Sequence, residues 1–178
     1  MKKNIIISGL VAGAIVTSWM IAGMAGMLKN LEGSLLLGYS TMLVAFSLIY
    51  VSVKNYRDKQ NNGLITFGAA VKIGLMITLL ASTIYVAVWL IDYYYFIPDY
   101  FDKYAAHQLA KMKAAGATPA QIKIQSDYLQ NFSNNYKNPF FNALVTYSEI
   151  LPIGLLVTLL CAIVLKRKQK TVELLTAK

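Results

Sequence analysis

Long uncharged apolar runs constrain this chain more than any other feature. The first, residues 5–28, holds 24 residues without an ionisable side chain, enough helix to cross a hydrocarbon core of about 30 Å with some tilt. It follows Lys2 and Lys3, and Gly23, Ala25 and Gly26 within it resemble a small-residue cleavage site. The apolar region of a cleaved leader runs only about 7 to 15 residues, so the run reads as a retained helix. A second run, 35–53, ends in Lys54, Asn55, Tyr56, Arg57, Asp58 and Lys59. The turn signal Asn61-Asn62-Gly63 follows. A third stretch, 64–97, is interrupted by Lys72 and Asp92, and its uncharged centre, 73–91, is 19 residues long. Pro139 precedes the fourth run, 140–165, which stops at Lys166, Arg167, Lys168 and Lys170.

Composition agrees. Hydrophobic residues make up 57% of the 178 and charged residues 14%, whereas a soluble domain is about a quarter charged. The expected fold is an all-α integral membrane protein, one domain over 1–178, with four spans at about 5–28, 35–53, 70–97 and 140–165. A disulfide scaffold is excluded, because Cys161 is the single cysteine. The net charge of +9 would suggest nucleic acid in a soluble chain. Here the basic residues flank the apolar runs, so the expected partners are the lipid bilayer and a membrane protein or second copy, not nucleic acid.

The 42 residues of 98–139 are polar but patterned. Phe101, Tyr104, Ala105, Leu109 and Met112 recur at helical spacing. Gly116 suits a helix C′ position, while Thr118, Pro119 and Gln121 supply an N-cap, an N1 proline and a capping-box partner for a second helix. Gln125, Tyr128, Leu129, Phe132 and Tyr136 continue that helix, which makes the segment an antiparallel α-hairpin. Orientation follows from the basic residues. One side holds Lys2, Lys3, Lys54, Arg57, Lys59, Lys72, Lys166, Arg167, Lys168, Lys170 and Lys178; the other holds Lys29, Lys103, Lys111, Lys113, Lys123 and Lys137. This bias of 11 against 6 places both termini in the cytoplasm and the hairpin outside. The cluster Tyr93, Tyr94, Tyr95, Phe96, Tyr100 and Phe101 then falls at the outer interface, where aromatic belts sit.

Small residues recur at four-residue spacing: Ala14, Ser18, Ala22 and Gly26; Ala70, Gly74, Thr78 and Ser82; Gly154, Thr158 and Ala162; and the pair Gly9 and Gly13. Such stripes let helix backbones approach closely in lipid, so Gly9, Gly13, Gly74 and Gly154 are expected at helix contacts. Glu149 lies deep in the fourth run, where a charge costs roughly 3 kcal/mol on insertion scales. It is expected to face the bundle interior, bind a partner, or stay protonated by desolvation, with Tyr39 at about the right depth to hydrogen-bond it and a kink at Pro152 beside it. Asp92, Lys72 and Arg57 are expected to anchor the interfaces, Lys72 by extending its amine toward headgroups.

No catalytic machinery is visible. Asp99, Asp102 and His107 match metal-ligand spacing poorly, and His107 is the single histidine. There is no P-loop, GxGxxG, CxxC or HExxH, and no Ser-His-acid set. No metal, cofactor or enzymatic activity is expected.

Several motifs together resemble a known family. Tyr56-Arg57-Asp58, Asn62-Gly63, Thr66-Phe67-Gly68, Lys72-Ile73-Gly74-Leu75, Ala81-Ser82 with Tyr85, Asn138-Pro139 and Ser148-Glu149-Ile150-Leu151-Pro152-Ile153-Gly154 resemble the short bacterial membrane proteins of domain of unknown function 4199, over nearly the whole chain. The resemblance implies a Gram-negative inner-membrane protein with four spans. It brings no established activity, so no catalytic role is carried over. It also implies an envelope setting, since family members are encoded near a glycosyltransferase acting on polyprenyl-phosphate sugars. The resulting expectation is a non-enzymatic accessory or scaffold protein that engages a partner through the hairpin or the small-residue helix faces. The alternative is a small oligomeric transporter or lipid-carrier flippase that uses Glu149.

Overall fold

A computed structural model describes residues 2–27 and 31–167, with side chains except at 19, 22–27 and 31–35. Lys29, Lys168, Lys170 and Lys178 therefore lie outside the described residues, and Ala22 and Gly26 are described only as part of the α1 backbone. Among the described residues every element is helical: α1 (Lys2–Met27), α2 (Leu31–Gln60), α3 (Phe67–Ile91), α4 (Tyr100–Ala114), α5 (Pro119–Tyr136) and α6 (Pro139–Leu165), with one π turn at Asp92–Phe96. Among the described residues, three segments, Leu36–Gln60, Phe67–Phe96 and Pro139–Leu165, are long and apolar enough to cross a membrane.

The boundaries follow from local chemistry. α2 runs seven residues beyond the apolar run that ended at Val53, to Gln60, because nothing in Lys54 to Gln60 breaks a helix once the chain has left the apolar layer. Asn62 stops it by adopting φ +51, and the Gly63 N–H donates back to the Arg57 carbonyl at 2.8 Å. Thr66 then caps α3, its hydroxyl accepting from the Ala69 N–H at 3.2 Å. Asn138 does the same for α6, accepting from Phe140 N–H at 2.9 Å, with Pro139 at the first helical position, where a missing N–H costs nothing.

The segment between α3 and α6 folds as its turn residues require. Gly116 has φ +80, closing α4. Thr118 and Gln121 form a complete capping box at the start of α5, a device that contributes about 1 kcal/mol. α4 and α5 pack on each other, and the start of α4 meets the end of α5: the Phe101 ring lies 5.1 Å from Phe132 and 5.0 Å from Tyr136.

Two compact units result, Met1–Val86 with Tyr147–Lys178, and Ala87–Thr146. In the first, α2 supplies Phe46, Ile49 and Val53, α3 supplies Ile73, Ile77 and Ala81, and α6 supplies Ile150 and Ala162, all at most 2% exposed. Ala12 and Val16 of α1 join the same core. In the second, the buried residues are the aromatics Trp89, Tyr93, Phe101 and Tyr136 together with Leu129, Ser133, Asn142 and Thr146.

Candidate functional site

In lipid, helices gain little from burying leucine against leucine, so their association depends on close backbone approach and hydrogen bonds. Four of the described glycines sit where α3 meets a neighbouring helix. A Cβ on Gly9 would lie 2.6 Å from Leu80, and one on Gly13 would lie 2.8 Å from Ile84. A Cβ on Gly74 would fall 2.6 Å from Thr158, and one on Gly154 would strike the methyl of Thr78. α3 and α6 thus interlock, each glycine receiving the threonine of the other helix, and the Thr78 and Thr158 hydroxyls are 3.3 Å apart. A further hydroxyl pair joins α1 to α2, Ser52 donating to Ser8 at 2.6 Å. The α1 small-residue stripe divides: Gly9 and Gly13 are buried, while Ala14 and Ser18 are exposed.

Arg57 closes one end of this unit. Its Nε and Nη2 donate to Asp58 at 2.6 and 3.1 Å, and its Nη1 reaches the Leu165 carbonyl at 3.4 Å. It thereby satisfies an acceptor that the C-terminus of α6 would otherwise leave open. Beside it, Ile65 and Arg167 exchange two backbone hydrogen bonds of 3.0 and 2.8 Å. Lys72 is exposed on α3. The sequence signal for the Arg57 role was its position one residue before Asp58 at a helix end, but the α6 carbonyl it reaches is 108 residues away.

Glu149 does not face inward, which corrects the first of the three sequence expectations for it. The residue is exposed, as is Tyr39 at 48%, and no hydrogen bond joins them. The reason is azimuthal. The inner side of α6 is defined by Ile150, Gly154, Thr158, Cys161, Ala162 and Leu165, and a helix turns about 100° per residue, so Glu149 and Pro152 emerge on the other side. α6 continues as a helix through Pro152. Among the described residues Glu149 has neither ion pair nor hydrogen bond.

In the second unit the sequence reading missed the central contact. Trp89 Nε1 donates to Tyr136 Oη and to Asn142 Oδ1, both at 2.9 Å. Thr146 Oγ1 donates to the Asn142 backbone carbonyl at 2.9 Å and to Oδ1 at 3.3 Å. Tyr94 Oη donates to the Lys137 carbonyl at 2.9 Å. The available signal was one amide, Asn142, placed three residues into an apolar run, where an unpaired amide is costly. Asp92 opens the π turn with its Oδ2 buried and without a hydrogen-bond partner. Asp99 is used locally: Lys103 lies 2.7 Å away, and this hydrogen bond holds the Asp99 carboxyl below its ordinary range. Among the described residues no group of three or more His, Cys, Asp and Glu could hold a metal ion.

A family model described as a protein of unknown function, DUF4199, matches residues 7–167. This chain belongs to the DUF4199 family. The matched range starts within α1 and ends at Arg167, at the bridge with Ile65, so the DUF4199 match covers the described helices except the first residues of α1. It also contains the Gly74, Thr78, Gly154 and Thr158 interlock and the Trp89 and Asn142 contact. No curated protein and no solved structure matches the chain.

Proposed function

We infer that this DUF4199 protein is a non-enzymatic accessory or scaffold protein of the bacterial inner membrane. α1, α2, α3 and α6 are its four spans, both termini are cytoplasmic, and α4 with α5 forms an extracytoplasmic hairpin in the cell envelope. One observation carries the reading. The acid deepest in an apolar helix, Glu149, is turned outward without a partner among the described residues, and a lone acid facing lipid is costly enough to require a neighbour. Several hydroxyls and one amide oxygen within the units are paired in packing: Thr78 with Thr158, Ser8 with Ser52, and Asn142 Oδ1 with Trp89. The alternative, an oligomeric transporter or flippase, needs a polar cavity at the depth of Glu149. The groove described between α1 and α2 is apolar, and Glu149 is not in its lining.

Topology is tested by single cysteines in a Cys161→Ser chain. In intact spheroplasts an impermeant thiol reagent is expected to label Ala117→Cys and to spare Ala177→Cys; the reverse pattern overturns the orientation. The scaffold role is tested by capturing the tagged full-length chain from native membranes in mild detergent and identifying co-purifying proteins by mass spectrometry. Stoichiometric recovery of a membrane or envelope protein is expected. Recovery of the tagged chain alone, under conditions that preserve known membrane complexes, overturns the role.

A further inference from the structure

α2 and α6 run in the same direction with a constant register. Phe46 lies against the Gly154 position and Arg57 against the Leu165 carbonyl, and both pairs are 108 residues apart. The same offset brings Thr41 level with Glu149. Each of these two residues lies five positions before its helix's contact point, so each is turned about 140° away from the line joining the helices. Applied to two parallel helices that face each other, the same rotation points the two side chains to opposite sides of the pair. Thr41 accordingly faces α1, where it lines a groove of about 490 Å³ with Val11, Ala14, Ile15 and Ser18. Glu149 emerges on the far side.

Among the described residues that line it, the groove is apolar except for two hydroxyls. Thr41 Oγ1 donates to the Leu37 carbonyl at 2.9 Å, which leaves its lone pairs open to a donor, and Ser18 is exposed. Copies of a chain inserted with one orientation are related by rotation about the membrane normal, and such a rotation preserves depth. Glu149 of one copy can therefore meet only residues at its own level in the next, and Thr41 is at that level. We propose that Glu149 on α6 docks into the groove of a second copy of this chain, between its α1 and α2, where Ser18 and Thr41 hydrogen-bond the carboxyl. Because acid and groove lie on opposite sides, the association is head to tail, each copy presenting its acid to the groove of the next. The occupant is the same chain because that groove supplies the missing partners at the matching depth. The inference rests on the membrane-spanning part of the reading above and not on the identity of any other partner.

The test uses two differently tagged full-length chains, both Cys161→Ser, expressed in one membrane. With Glu149→Cys in one and Thr41→Cys in the other, oxidation is expected to give a mixed disulfide dimer, since the Cα atoms would come within the roughly 7 Å a disulfide tolerates. Thr83→Cys is the control. The antiparallel register that brings Gly74 to Thr158 and Thr78 to Gly154 puts exposed Thr83 at the level of Glu149 on another helix. A Glu149 to Thr83 product as abundant as the Glu149 to Thr41 product, or no product between chains that melt like the parent, overturns the proposal. A second measurement needs no cysteine: subunit counting by photobleaching in liposomes. Wild type and Glu149→Gln, whose amide keeps a donor and an acceptor, are expected as multimers, and Glu149→Leu as single chains. A wild-type protein found only as single chains overturns the proposal too. Self-association with no second protein captured would remove the scaffold role and leave this interface standing; capture of a partner without the cross-link would do the opposite.

Discussion

Gly154→Leu is expected to prevent the first unit from packing as described. Even one added carbon at this position meets the methyl of Thr78 and lies 3.0 Å from Cζ of Phe46, and both neighbours are fully buried at 0% exposure. Neither can retreat, because Thr78 also faces Thr158 across the same contact. Overpacking by small increments costs about 1 to 3 kcal/mol, so Gly154→Ala should lower the melting temperature in detergent by about 2 to 12 °C on the scale of a chain this size. Leucine adds three further carbons, and the protein should be recovered aggregated or without a cooperative transition. Two comparisons isolate the cause. Thr78→Ala in the Gly154→Ala background removes the colliding atoms and should restore part of the loss. Gly38→Ala, at a helical glycine with open space around its Cβ position, should be neutral or slightly stabilising, as alanine is the better helix former. Wild-type melting of Gly154→Leu would mean that α6 does not approach α2 and α3 at this point.

The glycine positions were legible because small residues at four-residue spacing have one dominant use in lipid. The caps of α4 and α5 were legible for a different reason: Gly116, Thr118 and Gln121 act through bonds within three or four residues, and no distant contact overrides them. The side to which Glu149 turns was not legible. In water the apolar face of a helix marks its interior, but a membrane helix is apolar all round. On α6, Leu155, Leu156, Leu159 and Leu160 are exposed whereas Ile150 is 0% exposed, and hydropathy does not separate them. What distinguishes the inner side is the small and hydroxyl set Gly154, Thr158 and Ala162, a pattern present in the sequence. Taking that set as the interior puts Glu149 outside, so the evidence for its direction lay in the glycines and not in its charge.

The second unit depends on one side chain. Trp89 is 8% exposed, and its ring packs edge-on to Tyr100 with centroids 5.3 Å apart. Its Nε1 serves Tyr136 of α5 and Asn142 of α6 at once, tying the end of α3 to both later helices. Trp89→Leu removes the larger part of that side chain, a loss somewhat below the about 3 to 5 kcal/mol of a full truncation to alanine, and it withdraws a donor from two buried oxygens, each worth about 1 to 3 kcal/mol when left short. Asn142 Oδ1 keeps Thr146 at 3.3 Å, which places the hydrogen-bond loss at the lower end. Trp89→Phe keeps an aromatic ring and deletes the N–H, so it should have a smaller effect of the hydrogen-bond size alone. Hydrogen exchange read by mass spectrometry resolves the two. In Trp89→Leu the amides of α5, Pro119–Tyr136, should exchange at least about a hundredfold faster, since each 1.4 kcal/mol lost is a factor of ten in the opening equilibrium. Exchange across the buried part of α3 before Val86 should stay at the wild-type rate, because those residues belong to the other unit. Trp89→Phe should fall between wild type and Trp89→Leu. Equal acceleration in both variants would assign the whole effect to the N–H, and no acceleration in either would mean that α5 is held by Phe101, Phe132 and Tyr136 stacking without the tryptophan.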